Sequence, residues 1–207
     1  MEKQKSKYAL RSWKLKDIIL VSMMSVFFGV VYLSVDYLRM LITPLFDFFG
    51  LGRFVMEAIF GMWFIGNTLA IYIMRKPGIA LVIGILSAAI QIPMGNPWGA
   101  IVVASGLMQG FGAELVFFIF RYKRYDWLTM LAAAAGCTVF SLILSWYNGE
   151  FTELRPAFLL AMSLFRLGSG LLFAGAASKL LADGLAKVGV LKSYPIGEKY
   201  VGNIEEP

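Results

Sequence analysis

The sequence contains no histidine, a single cysteine and few charges. Lys, Arg, Asp and Glu together make up 15% of its 207 residues. Without histidine, and with one thiol, a dedicated zinc, nickel, cobalt or copper site is not expected, and a disulfide framework is excluded. The sequence also lacks a Walker A loop and any Ser/His/Asp set. We therefore predict that the chain is not an enzyme and carries neither a cofactor nor a metal.

Apolar residues dominate instead. Hydrophobic residues make up 59% of the sequence, and the mean hydropathy is +0.73, which is typical of an integral membrane protein. We predict an all-α fold of six transmembrane helices, with spans near residues 17–36, 55–74, 78–93, 100–121, 128–147 and 157–180. A basic N-terminal segment (1–16) precedes the membrane domain (17–182), and a tail (183–207) follows it.

The basic residues occur at alternate connections between these spans. Fifteen of the 19 lie in the N-terminal segment, in the second and fourth connections, or after the sixth span. Arg39, Arg53 and Arg155 fall in the other connections, and Arg166 lies inside a span. By the positive-inside rule, both termini are cytoplasmic. Because the basic residues form no single patch, the expected surroundings are a lipid bilayer and not nucleic acid.

Polar residues within the spans are candidates for a binding site, because burial in a membrane is costly for them. At a rise of about 1.5 Å per residue, Glu57 and Gln91 lie within about 5 Å of the outer ends of their spans. Glu114 is the deepest, about 20 Å below the outer end of span four. The polar groups thus form a column that opens outward. The candidate substrate-binding residues are Glu57, Asn67, Gln91, Asn96, Trp98, Gln109, Glu114 and Tyr147.

Structural roles compete with this interpretation. Arg166 is expected to pair with Glu114 or with Glu57, and the sequence does not decide which. Asn67 and Gln109 are equally typical of hydrogen bonds between membrane helices. Two carboxylates nevertheless share one intramembrane arginine, so one of them is left for a ligand.

The candidate residues indicate a class of ligand. Carboxylates favour a cation or several hydrogen-bond donors, aromatic rings stack on flat molecules, and amides read mixed donors and acceptors. A small, flat, polar and cationic heterocycle fits this set. On span one, Ser22, Ser25 and Gly29 form a stripe of small residues on which another helix packs, either span six or a partner subunit.

Two stretches carry a resemblance to a known family. PGIALVIGILSAAIQIPMGNPWG and GLMQGFGAELVFFIFRY resemble the YkoE-type S components of energy-coupling-factor (ECF) transporters, and the resemblance covers about residues 15–182. It implies a thiamin-related substrate, either thiamin or hydroxymethylpyrimidine, in an outward-facing pocket. It also implies a transmembrane coupling subunit, paired ATPase subunits and a prokaryotic plasma membrane. Ser25 and Gly29 occupy a place similar to the family's docking motif, so Ser22, Ser25 and Gly29 are the candidate docking residues.

We therefore expect the substrate-capturing subunit of an ECF-type ABC importer. One alternative is a stand-alone secondary transporter of a small cationic heterocycle, with Glu114 as its titrating group. Another is an assembly subunit in which Glu114 and Arg166 form a buried clasp. The first outer connection, DYLRMLITPLFDFFGLGRF, is long and apolar, and either closes over the pocket as a lid or lies in the membrane interface.

Overall fold

The computed structural model describes residues 13–152 and 154–198, and within these ranges the protein is helical and contains no strand. Five helical stretches are long and apolar enough to cross a membrane, and one shorter apolar helix accompanies them. The all-α fold with six apolar segments is thus confirmed. The elements are α1 (Leu15–Asp47), α2 (Gly52–Ile59), a 3₁₀ segment (Phe60–Phe64), α3 (Ile65–Met74), α4 (Ile79–Gln91), α5 (Ile101–Ile119), α6 (Trp127–Tyr147), α7 (Pro156–Gly170), a π-helical segment (Leu171–Ala177) and α8 (Ser178–Lys187).

The first helix is longer than the sequence suggested. The hydropathy pattern predicts its end at Asp36, but α1 continues to Asp47, and only residues 48–51 connect it to α2. Pro44 lies within α1 without ending it. A helix of 33 residues is about 50 Å long, which exceeds the hydrocarbon core of about 30 Å. Most of the predicted outer connection is therefore a helical extension of span one.

Spans two and six are not regular α-helices. The 3₁₀ segment interrupts the second span, and the π-helical segment interrupts the sixth. The two spans meet near these breaks, where the Gly61 amide donates a 2.9 Å hydrogen bond to Ser169 Oγ. A side chain at Gly61 would overlap the Ser169 carbonyl, so only glycine permits this approach. The hydropathy pattern revealed neither break.

The third and fourth spans pack with their backbones in contact. A Cβ at Gly106 of α5 would overlap the carbonyl oxygen of Gly84 in α4, and the reverse holds for Gly84. Glycine at both positions lets the two helices approach closely, as in other membrane helix pairs. This close approach sets the wall of the cavity described below.

The chain beyond α8 returns to the start of α1. The Tyr194 hydroxyl donates a 3.0 Å hydrogen bond to the Lys16 carbonyl, and Lys16 Nζ contacts the Ser193 carbonyl. Ile196 is buried in the same core cluster as residues of the spans. The described part of the predicted tail therefore packs onto the helices.

Candidate functional site

Glu114 binds the beginning of α4. Its Oε1 accepts hydrogen bonds of 2.6 Å from the Gly78 amide and 2.6 Å from the Tyr122 hydroxyl, and its Oε2 accepts one of 3.2 Å from the Ala80 amide. The first amides of a helix have no partner within it, and an anion there is favoured by the helix dipole. Burial, together with the Glu114 carboxylate, raises the pKa of Tyr122, so its hydroxyl stays protonated and donates. Glu114 therefore caps α4.

Glu57 is the partner of Arg166. The guanidinium donates from Nε to Glu57 Oε2 at 2.5 Å and from Nη2 to Glu57 Oε1 at 2.7 Å. Arg166 is fully buried, and its guanidinium lies over the Phe60 ring at 3.8 Å from the centroid. The sequence left the partner of Arg166 open between Glu114 and Glu57, and the structure shows that the partner is Glu57. Both of its oxygens are occupied by this fork-like contact.

A cavity of about 90 Å³ lies between spans one to five. A broader depression of about 460 Å³ adjoins it and shares Met56, Trp98 and Glu150 as walls. The principal polar and aromatic side chains around the cavity are Tyr32, Asp36, Phe60, Trp63, Gln91, Trp98, Ser105, Gln109, Ser141 and Ser145. Hydrogen-bonding groups and aromatic faces thus meet around one cavity, which is the usual composition of a small-molecule site.

Three of the predicted site residues line this cavity, namely Gln91, Trp98 and Gln109. Glu57 lines the adjoining depression instead. Asn96 accepts a 2.8 Å hydrogen bond from the Trp98 amide and so shapes the turn that carries the indole.

The other predicted residues lie outside the cavity lining. Asn67 is buried behind Gly84, and its amide has no hydrogen-bond partner among the described residues. Tyr147 is 85% exposed at the end of α6. Glu114 is held at the start of α4, as described above. The predicted polar column is therefore not one continuous site in the structure, because only some of its residues line the cavity.

Asp36 is a buried cavity residue that the sequence analysis did not include among the candidates. It is 1% exposed, and it lines the cavity. Its Oδ1 accepts a 2.8 Å hydrogen bond from Trp98 Nε1, while its Oδ2 has no hydrogen-bond partner among the described residues. The Trp63 side chain lies close to the same carboxylate. In the sequence, Asp36 is the last residue of the predicted span one. The available signal was its position at the outer level where we placed Gln91 and Trp98.

Gln91 presents a second acceptor. Its Nε2 donates a 3.1 Å hydrogen bond to the Ser87 carbonyl, and its Oε1 is buried without a partner in the described part of the chain. Buried polar atoms without partners are uncommon in proteins. Gln91 Oε1 and Asp36 Oδ2 are two such atoms, and both suit a ligand that donates hydrogen bonds or carries positive charge.

The small residues of α1 lie on two sides of the helix. Ser25 is buried, and its hydroxyl donates to the Val21 carbonyl at 2.7 Å. A Cβ at Gly29 would touch the Ser87 carbonyl of α4 at 3.1 Å, whereas Ser22 is exposed. The inner part of the stripe therefore packs against span three, not span six.

Comparison with known proteins identifies the family. Residues 16–140 match the family described as the permease component of an ABC-type cobalt transport system. The chain is 37% identical, over 190 residues, to the "Putative HMP/thiamine permease protein YkoE" of Bacillus subtilis (strain 168), covering 92% of this chain and 93% of that protein. A crystal structure of an S-component of an ECF transporter matches with a TM-score of 0.86 and 37% identity, over 93% of this chain and 95% of that one. The chain therefore belongs to the YkoE-type S components of ECF transporters, which are multi-pass membrane subunits and not enzymes.

Proposed function

We propose that this protein captures thiamin or hydroxymethylpyrimidine in the cavity beside Asp36 and delivers it to an ECF-type importer. The observation that carries the proposal is the buried Asp36 carboxylate, whose Oδ2 has no partner among the described residues in a cavity lined by Trp63, Trp98 and Gln91. A relative that is 37% identical is named as an HMP/thiamine permease, which agrees with this chemistry.

The groups of the substrate match the groups of the cavity. An aminopyrimidine offers an amino group to acceptors such as Asp36 Oδ2 and Gln91 Oε1, and its flat ring stacks on indole faces. The thiazolium of thiamin is a fixed cation, which a carboxylate stabilises, and aromatic faces add about 0.5–2 kcal/mol per contact. Either substrate therefore uses the unpartnered acceptors.

Trp98 lies where a substrate would enter. The inner cavity, at about 90 Å³, is smaller than the roughly 300 Å³ at the low end of ligand pockets. Trp98 is a wall of both the cavity and the adjoining depression. We propose that the substrate arrives through the depression and that the Trp98 turn shifts to admit it. We also propose, from the distribution of basic residues, that this end faces the outside of the cell and that both termini are cytoplasmic.

The predicted site residues take different parts in this proposal. Gln91, Trp98 and Gln109 contact the substrate together with Asp36. Asn96 positions the Trp98 turn, and Glu57 acts through Arg166. Asn67, Glu114 and Tyr147 are assigned no contact with the substrate, because none of them lines the cavity.

Import needs partner subunits. The sequence has no nucleotide-binding loop, so we propose that a coupling subunit and paired ATPases supply the energy. The coupling subunit meets the exposed face of α1, on which Ser22 lies, since Ser25 and Gly29 are buried. Although the family description mentions cobalt, the chain has no histidine and its one cysteine is buried, a donor set poorly suited to that ion.

Tryptophan fluorescence of the purified protein, titrated with thiamin and hydroxymethylpyrimidine, tests the proposal. Asp36→Asn removes the charge at nearly constant size and should raise Kd about 10- to 100-fold, the range for a hydrogen bond to a charged group. Glu114→Gln is the matched control and should bind normally where it folds. Unchanged affinity in folded Asp36→Asn contradicts the assignment. Uptake into vesicles by this chain alone would instead indicate the secondary transporter.

A further inference from the structure

Arg166 reaches past Glu57 to the cavity wall. Its Nη1 donates to Ser145 Oγ at 3.0 Å and, at 3.5 Å, to Ser141 Oγ. A guanidinium carries donors and no acceptor. Both serine oxygens must therefore accept from Arg166, and each hydroxyl hydrogen points to a different atom.

The two serines differ in where that hydrogen goes. The Ser141 hydroxyl donates to the Thr138 carbonyl at 2.8 Å. Ser145 lines the cavity at 5% exposure, and among the described residues its side chain makes one hydrogen bond, the one it accepts from Arg166. The Ser145 hydroxyl is therefore a donor left to the cavity.

The direction of this donor is fixed by Arg166. Ser105 on the opposite wall also accepts a hydrogen bond, of 2.7 Å, from the amide of Gln109. Rotation of the Gln109 amide through half a turn exchanges its donor and its acceptor. Ser105 can therefore either accept from Gln109 or donate to it. Arg166 has no acceptor to exchange for its donors, so Ser145 Oγ can only accept from it. Two hydrogen bonds to Glu57 and the contact with Phe60 hold the guanidinium in place.

We infer that Ser145 is a specificity-determining residue that donates a hydrogen bond to a ring nitrogen of the substrate, and that the Glu57–Arg166 pair is its positioning device. The inference rests on the proposed function and narrows it. The substrate must offer donors to Asp36 and Gln91 and an acceptor to Ser145. An amino group beside a ring nitrogen, as in an aminopyrimidine, has this pattern.

Analogues that lack one ring nitrogen test the inference. Kd is measured by tryptophan quenching for hydroxymethylpyrimidine and for its two pyridine analogues, each with one ring nitrogen replaced by C–H. The wild type should bind one analogue about 3- to 10-fold more weakly, the loss expected for one hydrogen bond. Ser145→Ala should weaken binding of the pyrimidine by a similar factor and abolish the discrimination. Ser34→Ala is the matched control and should keep it, because Ser34 is an exposed serine outside the cavity whose hydroxyl donates to the Val30 carbonyl.

Arg166→Lys tests the positioning role. It keeps a cation for Glu57 but replaces the planar fork with a compact ammonium. We expect the affinity ratio between pyrimidine and analogue to fall towards one. A merely structural role would lower the unfolding temperature and leave this ratio unchanged. Where this variant does not fold, the Ser145→Ala titration alone decides.

The outcomes separate the two proposals. If the wild type binds neither thiamin nor hydroxymethylpyrimidine, the proposed function fails and this inference fails with it. If the wild type binds but Ser145→Ala retains full affinity or full discrimination, only the inference is overturned.

Discussion

The indole Nε1 of Trp98 donates a 2.8 Å hydrogen bond to Oδ1 of the Asp36 carboxylate. Two further contacts hold the same turn on α1. The guanidinium of Arg39 lies over the Trp98 ring at 5.0 Å from its centroid, and the Tyr37 hydroxyl donates to the Gly95 carbonyl at 2.9 Å. The turn between spans three and four is thus attached to span one above the cavity.

Trp98→Phe removes the indole donor and keeps an aromatic face. Asp36 then loses its partner, and we expect thiamin to bind about 3- to 10-fold more weakly, because the turn and the carboxylate are less well ordered. Fluorescence titration measures the change through the remaining tryptophans. Trp146→Phe, at a largely exposed residue outside the cavity, is the control and should bind normally. Equal affinities in the two variants would contradict a role for the Nε1 bond.

Glu114→Gln tests the capping role of this carboxylate. The amide nitrogen of glutamine cannot accept a hydrogen bond, so at least one of Gly78, Ala80 and Tyr122 loses its acceptor. We expect a loss of about 1–3 kcal/mol in the free energy of unfolding, with unchanged affinity in the folded protein. Thermal unfolding and ligand titration of the same sample separate these effects. A large loss of affinity at unchanged stability would return Glu114 to the substrate site.

The number of spans was predictable, but the extent of α1 was not. Hydropathy is averaged over about 20 residues, so a single polar residue within an apolar stretch hardly affects the detection of a span. The end of a helix depends instead on a few backbone hydrogen bonds. The apolar pattern of α1 is interrupted by Asp36, Arg39 and Pro44. The helix nevertheless continues to Asp47, so these residues do not end its backbone hydrogen bonding.

Depth along a helix was predictable, whereas the direction of a side chain around its axis was not. Gln109 and Glu114 are five residues apart on α5, which puts them about 140° apart around the helix. Gln109 therefore faces the cavity, while Glu114 faces the start of α4. Only the packing of neighbouring spans decides which face a residue presents. For the same reason, the sequence left the partner of Arg166 open.

We expect the cap of α6 to depend on pH. The side chain of Thr129 at 2.7 Å and its amide at 2.9 Å donate to Asp126 Oδ1 and lower the pKa of Asp126. A carboxyl whose pKa is lower in the folded state contributes stability above its unfolded value, about 3.9, and loses it as pH falls. We therefore expect the unfolding temperature to decline on acidification below about pH 4–5. Asp126→Asn should show a smaller decline; an identical decline would contradict this contribution.

Gly106→Ala tests the close contact of α4 and α5. The added Cβ would overlap the Gly84 carbonyl and lie 2.9 Å from Ala88 Cβ. Overpacking of this kind costs about 1–3 kcal/mol, and because both glycines line the cavity, we also expect weaker substrate binding. Gly168→Ala is the control, since no atom lies within 4 Å of a Cβ there. Equal unfolding temperatures for the two variants would contradict the packing argument.

Removing one partner of the Glu57–Arg166 pair should cost more than removing both. Glu57→Gln leaves a fully buried guanidinium without its counter-charge, and the expected loss in the free energy of unfolding is about 3–5 kcal/mol. The double variant Glu57→Gln/Arg166→Met leaves no buried charge, so its loss should be smaller than that of Glu57→Gln alone. The single variant Arg166→Met completes the cycle, and thermal or denaturant unfolding in detergent measures all three variants. Additive losses in the cycle would mean that the two side chains stabilise the protein independently, in conflict with the two short hydrogen bonds between them.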